Sequence, residues 1–246
     1  MMSPLPLDMP DDYPWLPSST RYPLADLGEQ AVRLGSPVFF DRRGELVYVE
    51  DFSCGLGGWI TDVSDDGASV KVDCDKPYRH PYQAKLIAGI TLNKSASLGR
   101  TIGGWVTGRV GAEWMMEVEE DASYSRHVIN VWDGSVLSQT ALKYTDATKT
   151  WSVRNAAGGY TDVLASGINI ASGYMYIPVK FVFALDTGYY CRLLVGSRTV
   201  DLSSIALEQS ADTDTPNLTI ASYLYGTGSV APIMRLAQIL ITANEP

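Results

Sequence analysis

Histidine, cysteine and long apolar runs are what this sequence has least of. Its 246 residues include two histidines and three cysteines. Cys54, Cys74 and Cys191 are odd in number and far apart, and no Cys/Cys or Cys/His spacing links them, which speaks against a disulfide framework and against zinc. They read as buried or half-buried free thiols in a reducing compartment. His80 and His127 have no Ser/Asp or Cys partner at a recognisable spacing, so a hydrolase triad is not expected. No apolar run approaches the ~18 residues that suggest a membrane span. The opening MMSPLPLDMPDD has neither the basic nor the apolar segment of a secretory signal. A chain made in the cytoplasm, with no membrane partner, is the expectation.

Positive charge is also scarce. Lys and Arg number 19 against 28 Asp and Glu, for a net charge of −9, and the densest basic cluster is only Arg42-Arg43. Such a chain repels phosphate backbones, so no nucleic-acid partner is expected.

Helical periodicity is nearly confined to residues 24–34, where Leu24, Leu27, Ala31 and Leu34 recur at helical spacing before Gly35. One short helix is expected there. Before it, six prolines fall within residues 1–23, which excludes helix and favours an extended path. Leu5, Leu7, Tyr13, Trp15 and Leu16 in that stretch, with Leu24 and Leu27 after it, are too apolar for a solvated linker. They suit an arm that lies down on a surface. Residues 38–40 and 45–50, flanking Asp41-Arg42-Arg43-Gly44, read as a hairpin.

Beyond this the sequence is strands and turns. Ile177, Val179, Phe181, Phe183 and Leu185 alternate with other residues at period 2, and Asp186-Thr187-Gly188 then supplies turn chemistry. Residues 176–203 therefore predict a three-stranded meander. About a dozen short strands, separated by turn signals, predict a two-sheet antiparallel sandwich over residues 48–246, preceded by an arm, helix and hairpin over 1–47.

Glu50-Asp51-Phe52-Ser53 with Gly55 and Trp59, the pattern from Val179 to Asp201, and the closing strand from Leu236 to Thr242 together resemble the concanavalin A-like jelly rolls. That superfamily includes lectins, glucanases and laminin G-like domains. The resemblance implies a fold and leaves activity open. Members of this shape often hold a structural calcium with an acidic residue in the last strand. Met234-Arg235-Leu236-Ala237-Gln238 has no carboxylate there, so neither calcium nor any other cofactor or metal is expected. The apolar arm set before a jelly roll resembles bacteriophage and viral structural proteins.

Three candidate sites follow. Glu117 and Glu119, at period 2 on one strand, could line a glycosidase cleft, since retaining hydrolysis needs two close carboxyls. The glucanase pattern is Glu-x-Asp-x-x-Glu, whereas this chain has Glu117-Val118-Glu119-Glu120-Asp121, so a solvated acidic face is favoured over a catalytic pair. Trp132, Tyr160, Tyr223 and Tyr225 are among the aromatic candidates for stacking on sugar rings, and Tyr223 and Tyr225, on one strand face, are the best pair. The arm residues named above are the assembly candidates. The preferred reading is a non-enzymatic, homo-oligomeric virion structural or decoration protein bound to itself or to capsid or tail proteins. A carbohydrate-binding module is the alternative, and a glycoside hydrolase built on Glu117 and Glu119 comes third.

Overall fold

The computed structural model describes residues 41, 43–64, 67–76, 78, 81–104, 107–119, 122–165 and 176–246. The expected arm and the helix at 24–34 lie outside them. Sixteen strands and no helix occupy the described residues. In chain order these are β1 (Glu45–Glu50), β2 (Ile60–Val63), β3 (Ser69–Asp73), β4 (Gln83–Ile87), β5 (Ser95–Gly103), β6 (Arg109–Val118), β7 (Ala122–Trp132) and β8 (Val136–Thr145). They continue with β9 (Thr150–Arg154), β10 (Tyr160–Leu164), β11 (Ile177–Ala184), β12 (Tyr189–Val195), β13 (Arg198–Asp201), β14 (Glu208–Ala211), β15 (Asn217–Gly226) and β16 (Ile233–Ala243).

They form two eight-stranded antiparallel sheets. The first runs β13-β12-β11-β6-β16-β4-β3, with β1 beside β16, and the second runs β10-β9-β8-β7-β15-β5-β2, with β14 beside β8. The expected all-β sandwich is present, and so is the meander, as β11, β12 and β13. Glu45–Glu50 is a strand, but it pairs with the closing strand β16. Its expected hairpin partner at 38–40 lies outside the described residues.

Period 2 sorts the side chains. From the first sheet, Trp114, Phe181 and Ile239 point inward; from the second, Ile129, Tyr144 and Ile220 meet them, all with no exposure. Trp114 stacks on Phe181 with ring centroids 5.5 Å apart. A bulge at Ala237 resets the alternation, so Leu236 pairs with Met116 and Ile239 with Trp114 on the core face, while Gln238 meets Met115 on the other.

Glu50 explains the opening motif. Its carboxylate accepts hydrogen bonds from the Trp59 indole N–H at 2.9 Å, the Tyr48 hydroxyl at 2.9 Å and the Phe52 backbone N–H at 2.9 Å. Arg100 pairs with it at 3.3 Å. Phe52, held at φ +59°, lies against Trp59 with centroids 5.8 Å apart. The resemblance at Glu50, Phe52 and Trp59 is thus a folding device that ties the first strand to the turn after it.

The first sheet departs from simple apolar-in, polar-out alternation. Glu113, Glu117, Lys180, Arg235 and Gln238 face away from the core yet are at most 3% exposed. Lys180 meets Glu245 at 2.6 Å, and both side chains are fully buried. The thiols depart as well: Cys54 and Cys74 are exposed and Cys191 half-buried, all three free. Cys74 follows the last residue of β3, so the alternation that would have turned it inward has ended. No helix among the described residues is long and apolar enough to cross a membrane.

Candidate functional site

Glu117, on β6, and Glu119, just past its end, lie on the outer face, opposite the core-facing Trp114, Met116 and Val118. The structure gives them charged partners instead of solvent. Arg235 of β16, directly across from Glu117 in the register, contacts Glu117 at 3.2 Å and Glu119 at 2.6 Å. Lys76 adds contacts of 2.8 Å to Glu119 and 3.7 Å to Glu117. Asp73 meets Lys85 at 3.3 Å and Arg235 at 3.6 Å. Three carboxylates thus face three cations, which is how charges persist at such low exposure.

Burial pushes the Glu119 carboxyl up, but its hydrogen bonds to Lys76 and Arg235 outweigh that and hold it below the ordinary carboxylate range. A glycosidase acid needs the opposite shift. The expected solvated acidic face is therefore corrected: Glu117 is 1% exposed, within an ion network. Glu120, Asp121 and His80 lie outside the described residues. So do the arm residues Leu5, Leu7, Tyr13, Trp15, Leu16, Leu24 and Leu27.

His127 is a core residue. It is fully buried on the inner face of β7, hydrogen-bonded through Nδ1 to the Ser222 hydroxyl at 3.0 Å and packed on Trp114 with centroids 5.0 Å apart. Burial pushes its pKa down to about 3, so it is a neutral imidazole.

The outer face of the second sheet is different, because its side chains are half-buried and reach solvent. Tyr223 and Tyr225 share this face on β15. Across the strand pair, Tyr223 stands opposite Arg126 of β7, and Tyr225 opposite Tyr124. Tyr124 stacks on Tyr225 at 4.2 Å, and Tyr225 on Tyr223 at 6.2 Å. The Arg126 guanidinium lies 4.4 Å from the Tyr223 ring centre and 5.6 Å from that of Tyr225. Arg126 in turn stands opposite Lys143 of β8, whose ammonium sits 4.4 Å from the ring centre of Tyr160 on β10.

The tyrosine pair is therefore the centre of a ring-and-cation cluster spanning four strands, rather than a bare flat platform. Sequence reasoning named Tyr160, Tyr223 and Tyr225 but missed Tyr124, Arg126 and Lys143. The period-2 position of Arg126 beside Tyr124 was available as a signal; which strand neighbours which was not. Desolvation pushes the Tyr225 phenol up to about 12, against the lowering effect of Arg126, and burial also raises Tyr124. Both remain protonated hydrogen-bond donors at neutral pH.

Trp132 lies on the same face, opposite Asn217 and six residues along from the Tyr223 level. At ~3.4 Å per residue this is roughly 20 Å away. Its indole N–H donates to Asp212 at 3.0 Å. Between these two ends the face carries short side chains: Ala221 opposite Gly99 and Val128, and Thr219 opposite Thr101 and Asn130. A separate cleft of about 210 Å³, lined by Thr107, Val131, Asp133 and Asp186 among others, lies off this lane.

No protein-family model and no curated protein matches the chain. Among solved structures, the cellulose-induced protein Cip1 is similar, with 12% identity over 80% of this chain and 98% of that one, at a TM-score of 0.50. A protein of unknown function from Shewanella oneidensis MR-1 is similar too, with 10% identity over 92% of this chain and 96% of that one, also at 0.50. The potassium-bound carbohydrate recognition domain of Emp46p has 10% identity over 80% of this chain and 94% of that one, at 0.48. The neighbours are concanavalin A-like lectin and glucanase jelly rolls, and at these identities the likeness is one of fold.

Proposed function

We propose that this protein is a carbohydrate-binding module and that the outer face of the second sheet holds the saccharide. The observation that carries this reading is the half-exposed cluster of Tyr124, Tyr223, Tyr225 and Tyr160 with Arg126 and Lys143. It combines apolar ring surface with phenol, guanidinium and ammonium donors. Saccharides present both C–H faces and hydroxyls, and a site for them needs both kinds of surface. The lane of small residues towards Trp132 leaves room for several sugar units. The carbohydrate recognition named for Emp46p is consistent with this use of the fold but carries no weight here.

The reading is non-enzymatic. Glu119 is held ionised by Lys76 and Arg235, and Glu117 is buried beside the same cations, so neither is placed to give a proton to a leaving group. The virion-assembly reading rests on arm residues outside the described part, and nothing in the described residues favours it.

The test is calorimetric titration of the full chain against a panel of neutral and acidic oligosaccharides. Tyr223→Ala should weaken binding at least tenfold while the melting temperature stays within a few degrees, because Tyr223 lies on an open face. Trp132→Ala should weaken long chains more than short ones. Failure of the wild type to bind any glycan, or undiminished binding by Tyr223→Ala, would remove the reading.

A further inference from the structure

We propose that the saccharide recognised by this face is anionic, with a uronate carboxylate or a sugar sulfate meeting Arg126 and Lys143. This rests on the carbohydrate reading above and narrows it to a ligand class. The two cations are direct cross-strand partners on one face. Like charges in that position repel and destabilise a sheet unless something lies between them.

Among the described residues neither has an ion-pair partner; their contacts are with the rings of Tyr223, Tyr225 and Tyr160. Lys71, Lys94, Arg109 and Arg198 also lack an ion-pair partner among the described residues, but none of them sits over a tyrosine ring; most of the other cations are paired. Lys76, Lys85, Arg100, Arg154, Arg192 and Arg235 each hold a carboxylate. In a chain of net charge −9, carboxylates were plentiful and this pair was left without one.

Hydrogen-bonding capacity is left over as well. The Arg126 Nε and the Tyr160 hydroxyl have no hydrogen-bond partner, as is also true of nine other buried side-chain atoms among the described residues. Both can donate, and an acceptor-rich anion is the complement of a cluster with spare donors. On the same cross-strand row as Lys143, beyond Ser152 of β9, lies Asp162 of β10. The Ser152 hydroxyl donates to it at 2.6 Å. The rings beneath the two cations hold them in place, so little side-chain freedom is lost when an anion arrives. The overall negative charge slows encounter with an acidic polymer, but beyond about 8 Å salt screens it, leaving the local pair to govern the bound state.

The full chain is titrated with polygalacturonate, which carries carboxylates only, and with dextran sulfate, which carries sulfates only. Carboxyl-reduced polygalacturonate, a neutral β-glucan and single-stranded DNA serve as comparisons. The expected result is binding to one of the two acidic polysaccharides at least tenfold tighter than to the neutral polymers, and which one binds identifies the anion. Carboxyl reduction should abolish the polygalacturonate signal, a result that depends on no variant folding. The Arg126→Gln/Lys143→Gln double variant should weaken binding at least tenfold, and Tyr223→Ala should weaken it too. If the neutral glucan binds as tightly and the double variant is unaffected, the anionic inference falls while the carbohydrate reading stands. If no polysaccharide binds, both fall. If DNA binds as tightly as the acidic polysaccharide, or Tyr223→Ala leaves binding unchanged, the face is a general anion patch and the inference is overturned.

Discussion

Lowering the pH from 7 to 5 should destabilise this protein through His127, a side chain on the core-facing side of the strands whose outer face carries the proposed binding site. In the folded chain the imidazole is fully buried against Trp114, bonded to Ser222, and its pKa is pushed down to about 3. In the unfolded chain it titrates near its ordinary ~6.5. The unfolded state therefore binds a proton that the folded state refuses. Stability is complete above pH 6.5 and falls as the pH drops towards 3. Integrating between those values, the loss from pH 7 to pH 5 is about 2 kcal/mol. Asp73 and Glu119, whose pKa values are lowered, act in the same direction but below about pH 4.5, where unfolded carboxylates begin to protonate. Among the described residues, the window from 7 to 5 thus singles out His127. Urea denaturation at pH 7, 6 and 5 should show the wild type losing this stability, and His127→Gln, which keeps a polar group but cannot titrate, should lose far less. Proton NMR of the ring should find His127 neutral at pH 5, a readout independent of the variant. Equal losses in wild type and variant, or a ring that titrates near 6.5, would refute the assignment.

Glu50→Ala should cost about 3 kcal/mol, since it removes a carboxylate accepting from Tyr48, Phe52 and Trp59 and leaves the mostly buried Trp59 N–H without its acceptor; chemical denaturation measures this, and a loss under 1 kcal/mol would contradict it. Glu245→Ala withdraws the buried carboxylate from Lys180 and Arg192 and should cost about 3–5 kcal/mol by the same assay, showing that the last two residues belong to the folded unit. Gly111→Ala should also destabilise, because the new Cβ would clash with Thr242 Oγ1 and lie 2.7 Å from Glu245 Oε1; a melting temperature equal to wild type would show that this corner can yield.

Much of the architecture was legible from local signals. The alternation from Ile177 to Leu185, with its Asp-Thr-Gly turn, is visible residue by residue, and the meander follows from it without knowledge of the rest of the chain. The strands β2, β10 and β14 were not, because Ile60–Val63, Tyr160–Leu164 and Glu208–Ala211 are short and open, with little apolar alternation to read. Burial on the first sheet was misjudged for a related reason. Period 2 says that Glu117 and Lys180 point away from the core, but not that Arg235 and Glu245 will meet them there.

The sequence by itself determined the all-β class, the Asp-Thr-Gly turn of the meander, the inward row of β11 and the shared face of Tyr223 and Tyr225, because these depend on contacts between near neighbours along the chain. Tertiary structure alone decided which strands lie side by side. That order brings Tyr124, Arg126, Lys143 and Tyr160, from three further strands, around the tyrosine pair on β15. It also sets two cations opposite each other and gives the acidic residues of β6 their cationic partners. Such pairings join residues far apart in the chain, 118 positions for Arg235 and Glu117, and no local pattern encodes a partner at that distance.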